Sequence, residues 1–426
     1  METGKVFSIK DYGAAEGGKI LSTRAIQQAV DVAAKEQGEV LVPAGVYLTG
    51  SVFLHSNMRF YLEKGAVLLG SMDEADYPLT FSRVAGVEME WPAGVLNVIN
   101  QENVRIYGEG MIDGQGEFWW NKYWGQDRRG GMRAEYERKG LRWAVDYDCL
   151  RARNVVVFQC RNVQLEGFHS IRSGFWNVHL CYSEDIVVRG LQIHDNSGPS
   201  TDGVDIDSCK GVLVEGCTIA CNDDNICIKS GRDGDGLRVN RPCEDVTIQN
   251  CSILEGAGVT LGSETSGGIR DIVVRNISFK RTSAGFRMKS ARTRGGVLER
   301  ITVENLEMED VACAFSFDFD WNPAYSYCVI PADHEGEIPK RWTALTQPVL
   351  PEKGIPEAYD IHVRNVESRI TPGHEKDSAA FRIRGMIEKP FHDIHFQNGN
   401  IQAKSFGEIC NVINLEFVNV KVSVMS

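Results

Sequence analysis

Asp202, Asp223 and Asp224 are the residues of this chain whose type and spacing best suit chemistry. They occur in Thr201-Asp202-Gly203-Val204-Asp205-Ile206-Asp207 and in Asn222-Asp223-Asp224-Asn225, with Asp202 and Asp223 21 residues apart. Three carboxylates on one patch cannot all ionise freely, because mutual repulsion raises the pKa of at least one. Such a cluster offers a protonated acid beside an ionised base, or a set of oxygens for a hard cation. The bland alternative is a set of polar turns, where Asp is favoured by its side-chain turn bonds; Asp205, Asp207, Asp233 and Asp235 are assigned to that reading. A second candidate pair, Arg287 and Lys289, flanks Met288, so both cations point to one side, away from the core. They could grip a carboxylate of a bound molecule or simply balance the aspartates, and the residues alone leave the two readings level.

These groups must be positioned by repeated short strands. The runs Asn162–Gly167, Asp185–Gly190, Gly211–Gly216, Asp245–Asn250, Asp271–Asn276 and Arg300–Asn305 each alternate apolar and polar residues and end in Gly or Asn. Their starts are spaced by 23, 26, 34, 26 and 29 residues. A variable period of this length marks a solenoid with unequal loops. Gly and Asn tolerate the left-handed backbone that a sharp bend between strands requires. Hairpin turns of the Asn-Gly kind are scarce, which disfavours a sandwich. The expected fold is therefore all-β: a single right-handed parallel β-helix over residues 1–426. Coils about 4.8 Å apart would bring Asp202 beside Asp223 and Asp224.

Residues 1–50 read as an N-terminal cap region, with a short amphipathic helix near 22–37 built on Ile26, Ala29, Val30 and Ala33 and stopped at Gly38. Further strands are expected near 40–42, 52–54, 60–62, 67–69 and 104–107. Segments 114–150 and 318–359 break the rhythm. The first carries Trp119, Trp120, Tyr123, Trp124, Trp143 and a set of arginines including Arg142; the second carries Trp321, Tyr325, Tyr327 and Trp342. Long loops in a regular fold are often functional, so both are expected over the substrate face; the alternative is a cover packed by its own aromatics.

A formal charge of −12 disfavours nucleic acid or an anionic membrane as partner, and no apolar run is long enough for a span. The chain opens Met-Glu-Thr-Gly-Lys, without a basic start and apolar signal core; it is either cytoplasmic or lacks a signal peptide it once had. The 12 cysteines are too sparse in 426 residues for a disulfide framework. Cys217 and Cys251 read as stacked buried thiols, and Cys221 and Cys227 lack zinc-site spacing. His169, His179 and His194 read as surface or turn histidines.

Taken together, the residues resemble glycoside hydrolase family 28, the polygalacturonases and their relatives. Asp11-Tyr12-Gly13-Ala14 and Val42-Pro43-Ala44-Gly45-Val46-Tyr47 are similar to its N-terminal region. Ile112-Asp113-Gly114-Gln115-Gly116 with Trp119-Trp120, Ser173-Gly174-Phe175-Trp176, Ser200-Thr201-Asp202-Gly203, Asn222-Asp223-Asp224, Ile228-Lys229-Ser230-Gly231, Gly262-Ser263-Glu264 and Arg287-Met288-Lys289 follow in the family's order. One departure matters: Ala257 in Gly256-Ala257-Gly258 stands where the family carries a histidine. Ser200 for Asn and Asn222 for Gly are milder changes.

The resemblance implies an inverting hydrolase of pectic polysaccharide that needs no cofactor and no metal, periplasmic or secreted in location. Asp223 would be the general acid, with Asp202 and Asp224 positioning and deprotonating water. Arg287 and Lys289 would hold a substrate carboxylate, with Trp176 and His194 as further substrate-binding residues, His194 standing in for the missing histidine. Ala257 turns the expectation from plain polygalacturonan toward rhamnogalacturonan-type or branched pectin. Alternatives are an exo-acting polygalacturonase or galacturonidase, a calcium-dependent pectic lyase in which Arg287 is recruited as base, and a non-catalytic carbohydrate-binding solenoid.

Overall fold

A computed structural model describes residues 5–425. The chain winds as a right-handed parallel β-helix. One sheet has 20 strands and a second has 11, and every pairing in both is parallel. The first four residues of the expected cap region lie outside the described residues.

The bends form where the residue types require them. Gly167, Gly190, Gly216, Asn250, Asn276 and Asn305 have φ between 56° and 80°. The residue opening each run, from Asn162 and Asp185 to Asp271 and Arg300, is left-handed too, with φ of 53–67°. Each run is thus bracketed by two bends. In the C-terminal half the bend residue is Asn for a further reason. Asn276 donates to Asn250 at 3.0 Å, Asn305 to Asn276 at 2.9 Å and Asn365 to Asn305 at 2.9 Å, an amide ladder that glycine could not make. Inward residues of successive coils form one apolar core running from Phe7 to Ala403, in which Cys217 and Cys251 are buried as free thiols.

The expected helix spans Thr23–Lys35 and buries Ile26, Ala29, Val30 and Ala33 against the strands Val6–Ser8, Glu39–Val42 and Val52–Leu54. A Cβ at Gly38 would lie 2.5 Å from the Lys5 carbonyl, so the chain leaves the helix there through glycine. Strands at 39–42, 52–54, 58–62, 66–70 and 102–108 match the alternation.

Three additions stand outside the coils. An antiparallel hairpin pairs Leu79–Val84 with Val87–Pro92. It has no Asn-Gly turn: Ala85 and Gly86 take φ of 44° and 82°, the two left-handed residues a tight hairpin needs. Segment 114–150 is largely helical, with Gly116–Trp124, Gly131–Arg138 and Val145–Asp148. Segment 318–359 holds Pro323–Ser326, Lys340–Thr346 and Pro351–Gly354 and then enters the strand Glu357–Arg369. The hairpin and these two segments share a second apolar cluster containing Trp91, Trp143, Trp176 and Trp342. No helix among the described residues is long and apolar enough to cross a membrane.

Candidate active site

The 11-stranded sheet presents its outward face to this cover. Parallel register stacks Asp205, Cys227, Thr260 and Arg287 in one column, and Asp207 beside Lys229 in the next outward column. Asp202 and the pair Asp223-Asp224 sit in the bends just before the strands Val204–Asp207 and Ile226–Lys229. The Gly203 N–H donates to the Asp224 carbonyl at 2.9 Å, binding the two bends together. A Cβ at Gly203 would come within 2.3 Å of the Asn225 carbonyl, which explains the glycine after Asp202.

The three aspartates line one cleft of about 180 Å³, together with Trp176, Lys229, Glu264 and Lys289. The helical segment contributes Arg142 and Asp146, the C-terminal cover Trp321 and Tyr325, and the hairpin tip Ala85. Of the other aromatics singled out in these segments, Trp119, Trp120, Tyr123, Trp143 and Trp342 are buried in packing, while Trp124 and Tyr327 are half-buried. Trp176 is 3% exposed, stacked on Phe175 at 4.7 Å, with the Lys229 Nζ 5.2 Å from its ring centre.

The carboxyls are electrostatically unequal. Asp224 is buried, yet its Oδ1 accepts from Arg287 and from the Thr260 hydroxyl at 2.9 Å, and its Oδ2 accepts from Lys289 at 2.7 Å. Burial alone would raise its pKa, but the Arg287 and Lys289 charges outweigh this and hold it well below the usual carboxylate range. Asp223 is half-buried, and its carboxyl accepts only the Asp224 N–H, at 3.1 Å. Burial, then the Asp224 charge, pushes its pKa up against the opposing Lys289 and Arg287. Asp202, 3% exposed, is pushed well up by burial, then by Asp205 and Asp223; Lys229 opposes from 3.9 Å. One carboxylate is held ionised while burial and like charge raise the proton affinity of its neighbours. That is the asymmetry acid–base catalysis requires.

Beneath these groups lies a buried network that sequence reasoning did not assign. Lys229 donates to Glu264 at 3.1 Å and lies 3.7 Å from Asp205. Burial would raise the Glu264 pKa, but Lys229, then Arg294 and Lys289, bring it down to about 2. Asp205 and Asp207 belong to a strand, not to turns, and are fully buried; Arg83 of the hairpin reaches Asp207 at 3.2 Å. Asp233 is buried between Arg232 and Arg294. The motif blocks containing Lys229 and Glu264 were visible in the sequence, but the charge pairing across coils was not.

Arg287 and Lys289 are brought to the cluster as the register implies, but both engage Asp224, and Lys289 alone lines the cleft. Its Nζ lies 4.4 Å from the Trp321 ring centre. Ala257 is 7% exposed, and its N–H donates to the Asp223 carbonyl at 2.8 Å. His194 does not enter the cleft. Its strand, Gln192–Asn196, belongs to the 20-stranded sheet, and its ring meets Asp195 at 2.9 Å and His169 at 3.2 Å beside a separate concavity. His179, expected at a turn or surface, is fully buried in a strand with its Nδ1 2.6 Å from Arg153. Among the described residues, two groups present ligand atoms within 4.8 Å of one another, Asp202–Asp224–Cys227 and His179–Cys181–Asp207. Arg287 and Lys289 already occupy Asp224, and Arg83 occupies Asp207, so cationic side chains compete with any metal at both.

A solenoid face with one carboxylate held ionised beside two whose pKa is raised, in a cleft edged by aromatic rings, carries the groups that acid–base catalysis needs. The chain belongs to the glycosyl hydrolases family 28, whose model matches residues 37–332. A probable polygalacturonase of Vitis vinifera is 31% identical over 72% of this chain and 62% of that protein, so the chain spans less than two thirds of that relative. An exo-poly-alpha-D-galacturonosidase of Dickeya chrysanthemi is 27% identical over 98% of this chain and 71% of its own length. Among solved structures, a hyperthermoactive exopolygalacturonase from Thermotoga maritima superposes with a TM-score of 0.78 at 26% identity, covering 98% of this chain and 92% of that one.

Proposed function

We propose that the protein is an inverting hydrolase of pectic chains, with Asp223 as general acid and Asp224, assisted by Asp202, activating water. The observation that carries this reading is the Asp223–Asp224 asymmetry, with Arg287, Lys289 and Thr260 all spent on Asp224. Inversion needs the base to reach a water on the far side of the scissile bond from the acid. On this reading Arg287 and Lys289 serve first to keep Asp224 ionised, and Lys289, in the cleft wall, is the one within reach of a substrate carboxylate. Segments 114–150 and 318–359 cover the substrate face of a single solenoid through Arg142, Trp321 and Tyr325.

The substrate proposed is galacturonate-containing pectin cut from a chain end. The Dickeya and Thermotoga relatives are named as exo-acting on galacturonan, and the relatives give no support to the rhamnogalacturonan preference read from Ala257. The cleft of about 180 Å³ is small beside the ~300–1,000 Å³ of sites for larger ligands, room for one terminal sugar unit. We place the protein in the periplasm or outside the cell, where pectin is met; 10 of its 12 free cysteines are buried and so protected from oxidation there. Product analysis on oligogalacturonides and rhamnogalacturonan oligomers, with and without chelator, tests the reading. Monomer release with inverted anomeric configuration supports it; unsaturated ultraviolet-absorbing products would show a lyase, and binding without turnover a carbohydrate-binding solenoid.

A further inference from the structure

The coil that holds the strands Ser405–Cys410 and Val412–Val424 is paired on one side only. Ser405–Cys410 pairs in register with Ala379–Arg384, and Val412–Val424 with Phe391–Ala403; neither has a second neighbour among the described residues. Positions that the coil before it buries are therefore open. Ile394, Phe396 and Ile401 are at most 2% exposed, whereas Phe417, stacked on Phe396 at 5.2 Å, is 41% exposed. Ile413, Val418 and Val424 are 54–59% exposed. A long apolar strand with free N–H and C=O groups is a template for pairing with another chain. Val412–Val424 has no proline to blunt it and carries just two charges, Glu416 and Lys421.

The opposite end of the solenoid is not available to receive this edge. There the helix Thr23–Lys35 packs over Val6–Ser8 and Glu39–Val42, which blocks head-to-tail stacking into a filament. What remains for a second copy is the same edge, met antiparallel across a two-fold axis.

The sequence of the strand suits that arrangement in one register. Val412–Val424 bends at Asn419, whose φ is 54°, so the axis must pass beside this bend for the two arms of one copy to overlie those of the other. Leu415, Phe417, Val420 and Val422 continue the columns of Ile394, Phe396, Gly399 and Ile401. They must meet inward residues, because a slip of one residue would turn them against outward ones. Both conditions hold when the axis lies between Val418 and Asn419. Leu415 then faces Val422, and Phe417 faces Val420. The same register sets Glu416 opposite Lys421 of the second copy, twice by symmetry, and opposite charges facing across strands are stabilising. Both side chains are exposed, and Glu416 uses only Oε2, which meets His395 Nδ1 at 2.9 Å.

We infer that the Val412–Val424 edge is a self-association surface, through which two copies of the chain join end to end by antiparallel pairing with Glu416 facing Lys421. The two solenoids then share one continuous apolar core, and the catalytic cleft of each lies several coils away from the junction.

Sedimentation and light scattering of the full chain over a concentration series test this. The wild type should form a dimer. Glu416→Lys and Lys421→Glu each turn two attractions into two repulsions, so each should raise the dimer Kd roughly tenfold or more. The double variant Glu416→Lys/Lys421→Glu restores opposite charges across the axis and should return the Kd to near the wild-type value. Circular dichroism and Tm show that each variant is folded. A single-chain mass at every concentration would overturn the inference and leave the edge to a different occupant. A dimer that neither single reversal weakens, or that the double reversal fails to restore, would overturn it equally. None of these readouts involves turnover, so they stand apart from the test of the proposed function.

Discussion

Asp223→Asn isolates the step on which the proposed mechanism turns. The amide is isosteric and keeps an oxygen for the Asp224 N–H, which Asp223 Oδ1 now accepts at 3.1 Å. The side chain is half-buried and makes no other hydrogen bond through its carboxyl, so the fold should be untouched. What is lost is the proton donor. General acids contribute roughly 10²–10⁴-fold, about 2.7–5.5 kcal/mol of barrier, and only where the leaving oxygen needs a proton. The variant should therefore lose ~10²–10⁴-fold in kcat on oligogalacturonide but far less on an aryl galacturonide whose phenolate leaves unaided. The descending basic limb of the pH profile, set by the raised Asp223 pKa, should also vanish. Asp224→Asn provides the contrast, because loss of the base should cost both substrates alike. Equal losses on both substrates in Asp223→Asn, or near-normal turnover of oligogalacturonide, would refute the assignment.

Arg287→Ala and Lys289→Ala should lower kcat more than they raise KM, because each removes a charge-assisted partner of Asp224 worth roughly 1.5–3 kcal/mol; a pure KM effect confined to uronate substrates would show that they hold substrate instead. Glu264→Gln should destabilise the protein by about 3 kcal/mol in urea unfolding, since it breaks a buried pair with Lys229. The folded Glu264 pKa lies below the ordinary 4.5, so its stabilisation is full above that pH and is lost as pH falls toward 2; Glu264→Gln should lack that part of the acid decline. Ala257→His places an imidazole at a site only 7% exposed and bonded to the Asp223 backbone, so we expect a Tm drop equivalent to ~1–3 kcal/mol and lower activity; a gain on polygalacturonan would show that the pocket has room for the ring.

The solenoid and its acidic cluster were legible because both depend on local rules repeated along the chain. A bend needs Gly or Asn, alternation assigns the inward face, and a spacing of 21 residues between Asp202 and Asp223 places neighbours on neighbouring coils. Arg287 and Lys289 were placed beside the cluster by the same arithmetic. The limit of that arithmetic shows in His194, which sits about as near to Asp202 along the chain as any histidine. Between Asn196 and Thr201 the chain turns from the 20-stranded sheet onto the 11-stranded one, so the imidazole and the carboxylates face different ways. Spacing in residues measures position along a coil only when the corner between sheets is also known.

The cover was less legible because its contacts are non-local and its elements are too short to carry a period. The hairpin turns on Ala85-Gly86, a pair with no strong turn signature, and is stabilised by Arg83 reaching Asp207 across 124 residues. Burial of Asp205, Asp207 and Lys229 follows from that cover and not from their own strands. A sheet with its outward face in water would leave Lys229 a solvated lysine and Asp205 an ordinary carboxylate. Once the hairpin and the aromatic clusters of segments 114–150 and 318–359 close over them, each charge must find a partner, and every pairing then bears on the proton held by its neighbour. The chemistry assigned to Asp223 and Asp224 therefore depends on residues far from them in sequence, through the contacts of Arg287, Lys289 and Thr260 with Asp224 and through the low dielectric that the cover creates.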